Sequence, residues 1–162
     1  MIEHDYMRKH RLLNLKMRSY LVKYVFRISY KFDLLRTTTY LAVHYMDLYF
    51  SRVFTFRDQI EPVAVAQTCL FIAMKYEEIY PPDLADWVDH RHKPDILKLE
   101  GEVLRVLDFQ LAHYTLEHFA HFQLWHDQEA DSQLPAPLPS LRSQLLMDLS
   151  LFDLPMRQFR PS

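Results

Sequence analysis

The stretch Pro62-Val-Ala-Val-Ala-Gln-Thr-Cys-Leu-Phe-Ile-Ala-Met74 carries no charged side chain, and Lys75-Tyr-Glu-Glu-Ile-Tyr-Pro-Pro82 follows it directly. A helix that is apolar on every face must be buried on every face. As a helix, this stretch spans about 20 Å, whereas a membrane-crossing helix needs about 20 consecutive apolar residues. The segment therefore reads as the axle of a helical core in water. Pro62 suits a first helical turn, with Asp58 or Gln59 as candidate caps upstream, and Pro81-Pro82 ends the helix. Lys75 stands where the apolar helix meets polar sequence, which is the place of a snorkelling lysine.

The rest of the chain is built to cover that axle. Its 162 residues suffice for one ordinary domain with a core, and 49% apolar with 25% charged side chains is a globular balance. There is a single glycine, Gly101. Tight hairpins and phosphate-cradling loops need more than that, so the fold is expected to be all-α. The net charge of -2 gives no global basic field, which argues against a nucleic-acid partner. Cys69 has no second cysteine to pair with, which suits a reducing compartment. Met1-Ile-Glu-His-Asp5 lacks the basic and apolar runs of a signal peptide. The expected location is nucleus and cytoplasm, with no membrane association.

Residues 1–14 form a polar, basic lead-in with Arg8, Lys9 and Arg11. Helical spacing of Met17, Leu21, Tyr24, Val25 and Ile28 predicts a helix from Lys16 to Phe32. Asp33 or Thr37 can cap the next helix, which runs to about Ser51 with a stripe of Tyr40, Val43, Asp47 and Phe50, widened by Leu41, Tyr45 and Leu48. Beyond Pro82, residues 83–89 have room for one or two helical turns. After a polar loop, Pro94 opens a helix to about Leu107, striped by Ile96, Glu100, Val103 and Leu107 and flanked by Leu97 and Leu104. Thr115 can cap a helix to about Trp125. A proline-rich linker precedes a last amphipathic helix from Leu141 to Leu154.

Four charges sit on or beside apolar faces: Arg18, Asp47, Lys75 and Glu100. Buried charges are normally paired, so two structural ion pairs are one reading. The other sets one pair at the surface, facing a partner protein. The histidines do not converge on a metal: His90 and His92 share a loop and His118 and His121 a helix, with no cluster of three or four ligands. Solvated or capping roles suit them better. Glu77 and Glu78 are adjacent and diverge on a helix, so they make a poor acid–base pair. No nucleophile elbow, phosphate loop or zinc-protease motif is present. No active site is legible.

Three motifs resemble the cyclin box of the mitotic A/B type. They are Met17-Arg-Ser-Tyr-Leu-Val22 after Tyr6-Met7, Leu41-Ala-Val-His-Tyr-Met-Asp-Leu-Tyr-Phe-Ser51, and above all Phe71-Ile-Ala-Met-Lys-Tyr-Glu-Glu-Ile-Tyr-Pro-Pro82. Ile96-Leu97, Leu99-Glu100, Val103, Leu104, Leu107, Phe109 and Leu111 are similar to the fifth helix of that box. Leu149 to Asp153 with Phe159 to Ser162 resembles the start of a second cyclin fold. The resemblance implies a five-helix bundle around a central buried helix over residues 15–125, a linker over 126–140, and one helix of a truncated second fold over 141–162. That last helix would expose an apolar face or fold back.

The implied function is regulatory: binding and activating a cyclin-dependent serine/threonine protein kinase in cell-cycle control, with no catalysis and no cofactor. The alternative is a divergent module that binds without activating. By resemblance, Lys75 and Glu100 hydrogen-bond kinase backbone, while Tyr76, Leu104, Phe109 and Leu111 match apolar kinase-contact positions. Arg18 and Asp47 match an internal ion pair. Met17, Tyr20, Leu21, Tyr24, Arg27 and Val63 match a substrate-docking patch for substrates or inhibitors, in weakened form. Tyr24 and Val63 stand where the family has tryptophan and glutamine, and Arg27 replaces an acid. A basic docking motif should be repelled by Arg27, although Met17, Leu21 and Tyr24 could still line an apolar groove. Leu48 replaces a family arginine, and the segment from Pro82 to Glu100 is a few residues shorter than usual.

Overall fold

A computed structural model of the chain describes residues 13–53, 61–128 and 141–152. The expected lead-in through residue 12, the candidate caps Asp58 and Gln59, most of the expected linker and the tail from Asp153 lie outside the described residues. Among the described residues there are six α-helices, one 3-10 turn and no strand. The chain divides into two compact units, residues 1–113 and 114–162. The division falls ahead of the helix that begins after Thr115, whereas the resemblance to the family extends the first domain to residue 125.

The first unit holds α1 (Leu15–Lys31), α2 (Arg36–Arg52), α3 (Pro62–Glu77), a 3-10 turn (Leu84–Asp86) and α4 (Lys93–Val106). Asn14 caps α1, its side-chain oxygen accepting from the Met17 amide at 2.8 Å. Asp33 does not cap α2, as the sequence suggested. It takes φ 49 and terminates α1, with its amide reaching Tyr30 O and the Leu34 amide reaching Ser29 O. These two bonds form a Schellman motif with aspartate where glycine is usual. Thr37 makes no cap either: Leu35 is the cap residue of α2 and contributes no side-chain bond. The oxygen comes from Glu78 instead, whose Oε1 accepts from the Leu35 amide at 2.8 Å and from the Thr38 hydroxyl at 2.6 Å.

That bond also explains where α3 stops. Pro62 occupies its first turn and Glu61 precedes it without a side-chain cap. The helix ends at Glu77, before Pro81, because Glu78 turns into extended backbone and serves α2. The α3 residues Val65, Ala66, Cys69, Leu70, Ile72, Ala73 and Met74 are all buried. The surprise is α2, which is buried from Thr38 to Ser51 except at His44. The unit therefore has two buried helices, and α2 against α3 is its most extensive contact. Leu84 and Val88 pack with Ile96 of α4 over Phe71, pinning the segment that follows the double proline. On α4 the buried stripe is Ile96, Leu99 and Val103, whereas Leu97 is exposed.

The second unit holds α5 (Leu116–Gln128) and α6 (Leu141–Phe152). At the start of α5 the Thr115 amide donates to His118 Nδ1 at 3.2 Å, so this histidine caps its own helix. On α6, Leu141, Leu145, Leu146 and Leu149 are exposed and Leu151 is buried.

Candidate functional site

The four odd charges form two pairs of different kinds. Arg18 of α1 meets Asp47 of α2 in a two-pronged pair, Nε to Oδ1 and Nη2 to Oδ2, each at 2.9 Å. Their side chains are 1% and 0% exposed. This geometry is the strong form of an arginine–carboxylate bond, and it ties α1 to the most buried part of α2.

Lys75 Nζ pairs with Glu100, bridging the end of α3 to the middle of α4. Here the side chains are 43% and 16% exposed, so water reaches the pair. Lys75 is more than a snorkelling terminus. Its ammonium lies 4.4 Å from the centroid of the Phe71 ring, a cation–π contact, and it sits in the last turn of α3, where the helix dipole favours a cation. Ring, carboxylate and helix end together hold the ammonium at a fixed point of the surface.

The same two helices carry partly exposed apolar side chains beyond this point. Tyr76 is exposed at the end of α3, and Leu104 is half-buried one turn beyond Glu100. The turn after α4 is unusual. Asp108 and Phe109 take φ 54 and 55, the left-handed region that a bulky side chain rarely enters. The Asp108 amide donates to Arg105 O at 3.0 Å and the Phe109 amide to Leu104 O at 2.9 Å, a second Schellman motif with aspartate in the glycine position. Its result is that Phe109 faces solvent at 66% exposure. Backbone strain of this kind is a reason to look for function.

The segment that carries Phe109 is held by α2 through polar tips that sequence patterning does not reveal. The Tyr45 hydroxyl donates to Leu111 O at 2.6 Å, Arg52 Nη1 donates to Val106 O at 2.7 Å, and the Tyr49 hydroxyl donates to Glu102 at 2.9 Å. Burial raises the Tyr45 phenol pKa, and nearby Tyr76 and Glu77 raise it further, which keeps the hydroxyl a donor. Tyr45 thus links Leu111 with the Tyr76 end of α3. Next to it the His113 ring lies tilted against His44, with ring centroids 4.6 Å apart.

The six docking-patch positions are less of a surface than the resemblance implied. Leu21 is 0% exposed and Tyr24 is nearly buried, so both belong to the core and neither lines an open groove. The reason is their place on the face of α1 that packs on α2 and α3, the same stripe that helical spacing identifies. Met17 and Val63 are half-buried. The Tyr24 hydroxyl accepts from Gln67 Nε2 at 2.8 Å, and the Arg27 guanidinium lies 5.2 Å over the Tyr24 ring. Tyr20 and Arg27 are exposed. Among the described residues no three histidine, cysteine or acidic side chains group as metal ligands, and no helix is long and apolar enough to cross a membrane.

Comparison with known proteins places this geometry. Residues 1–112 match the family model described as the N-terminal domain of cyclins, ending where the first compact unit ends. The chain is 36% identical over 118 residues to a G2/mitotic-specific cyclin-A of Patella vulgata, covering 70% of this chain and 27% of that one. It is 32% identical over 162 residues to Cyclin-A2 of Homo sapiens, covering 97% of this chain and 36% of that one. Against a G2/mitotic-specific cyclin-B of Spisula solidissima it is 32% identical over 165 residues, covering 99% of this chain and 36% of that one. The chain therefore spans roughly a third of the length of these relatives.

Proposed function

The chain belongs to the cyclin family, and from that premise we propose that it is a regulatory subunit that binds and activates a cyclin-dependent protein kinase in control of the cell cycle. The observation that carries the reading is the Lys75–Glu100 pair at the surface beside the Phe71 ring, with Tyr76 next to Lys75 on α3, Leu104 one turn on from Glu100 along α4, and Phe109 exposed in the turn after α4. Relatives named as G2/mitotic-specific cyclins support the placement in the cell cycle.

A surface cluster of this type can act on a kinase without chemistry of its own. Phosphoryl transfer needs the kinase's lysine–glutamate pair assembled, and the position of one kinase helix controls that. A partner shifts the balance only by contacting the active arrangement better than the inactive one. Lys75 and Glu100 supply a donor and an acceptor for backbone groups, and Phe109 and Tyr76 supply apolar anchors. Because the two charges satisfy one another in the free chain, neither is left bare before a partner arrives. The protein acts in nucleus and cytoplasm on this reading, which fractionation of cells expressing a tagged chain checks.

Co-purification with a cyclin-dependent kinase, followed by a phosphorylation assay, tests the proposal. Lys75→Ala combined with Glu100→Ala should weaken kinase binding by roughly tenfold or more, equivalent to about 1.4 kcal/mol or more, while the helical circular dichroism is kept. A folded double variant that binds and activates like the parent chain sinks the site assignment. Binding without activation would leave only an interaction module.

A further inference from the structure

The solvent face of α1 has a character that the kinase reading does not use. Lys16, Tyr20, Lys23, Arg27, Tyr30 and Lys31 are all exposed. At 3.6 residues per turn they lie within about 100° of arc. The helix contains no acidic residue, and its remaining cation, Arg18, is buried against Asp47. A chain of net charge -2 thus concentrates four exposed cations on one helix face. At the N-terminal end of this face lies a shallow depression of about 370 Å³ lined by Leu15, Lys16, Ser19, Tyr20 and Lys23.

We propose that this face docks a peptide segment with acidic residues at alternate positions and an apolar residue at one end. The spacing supports it. Lys23, Arg27 and Lys31 follow at intervals of four, about 6 Å along the axis. Alternate side chains of an extended peptide repeat every ~6.8 Å. From Lys16 to Lys31 the face is about 22 Å long, the reach of roughly seven extended residues. The depression between Leu15 and Tyr20 takes the apolar side chain, and the charges beyond it take the carboxylates. Arg27 is held over the Tyr24 ring, so its charge is already placed.

Fluorescence anisotropy of the full chain with a labelled peptide tests this without any kinase. The probe is a leucine pair followed by alternating glutamate and serine. Lysine-for-glutamate and oligothymidylate probes serve as comparisons. The glutamate peptide should bind best and lose affinity as salt rises. Lys23→Glu with Arg27→Glu should weaken it roughly tenfold or more and favour the lysine peptide. Lys23→Gln with Arg27→Gln should weaken it too, without adding new charge. Equal binding of the glutamate and lysine peptides, no response to either pair of substitutions, or tighter binding of oligothymidylate overturns the proposal. Failure here leaves the kinase proposal standing, because that one is read at Lys75 and Glu100.

Discussion

At the scale of single residues, the structure separates a buried ion pair from one that water reaches. Arg18 and Asp47 have no route to solvent, so removing one takes the two-pronged bond from the other while leaving it buried. Asp47→Ala should cost about 3–5 kcal/mol, whereas Arg18→Met with Asp47→Leu should cost distinctly less. Urea unfolding of the two variants measures the difference. The four odd charges were legible from the sequence because each interrupts an apolar stripe. Their partnerships were not, since nothing in periodicity says which stripe faces which. The resemblance to a family suggested the pairing, yet it also put Leu21 and Tyr24 on a surface. Helical spacing alone had them on the buried stripe, and the structure agrees with the spacing. Tyr45 and Tyr49 escaped both readings. A tyrosine counts as apolar in a stripe, and the hydroxyl that grips Leu111 or Glu102 leaves no pattern.

At the scale of elements, the helices with clear stripes were readable and their ends were not. The chain has one glycine, so the left-handed positions that end α1 and α4 fall to Asp33 and Asp108. Aspartate tolerates that conformation better than most residues, but it looks like a helix cap in sequence, which is how Asp33 misleads. The cap of α2 was unreadable for a different reason. Glu78 lies 43 residues from the amide that it accepts, and no local motif announces such a bond. Glu78→Ala should remove about 1 kcal/mol of stability through α2 and leave α3 helical. Thermal unfolding by circular dichroism checks the loss, and amide exchange at Leu35 should rise locally. The full burial of α2 was missed because threonines and tyrosines dilute its apolar count, while α3 declares itself by having no charge from Pro62 to Met74.

At the scale of the whole molecule, the first unit carries a pH dependence of definite sign. Burial holds the His113 imidazole below its ordinary pKa, and the nearby Arg52 charge adds to this. His44 and Tyr45 crowd the same ring. The folded state therefore disfavours the proton that the unfolded chain accepts near pH 6.5. This contribution to stability is intact above that value and is lost as pH falls through the lowered folded pKa. Urea midpoints should decline as the solution is acidified below about pH 6.5, and His113→Asn should lessen the decline. The buried axle has one more consequence. Its sulfur, Cys69 Sγ, is fully enclosed, and burial raises the thiol pKa. A thiol-reactive dye reaches it only when α3 leaves its packing, so at low dye the labelling rate reports the fraction of time the native unit is open. The chain thereby carries its own stopwatch. A kinase bound as proposed at the ends of α3 and α4 should slow that stopwatch in proportion to its grip, which gives a partner-binding readout from a single native atom.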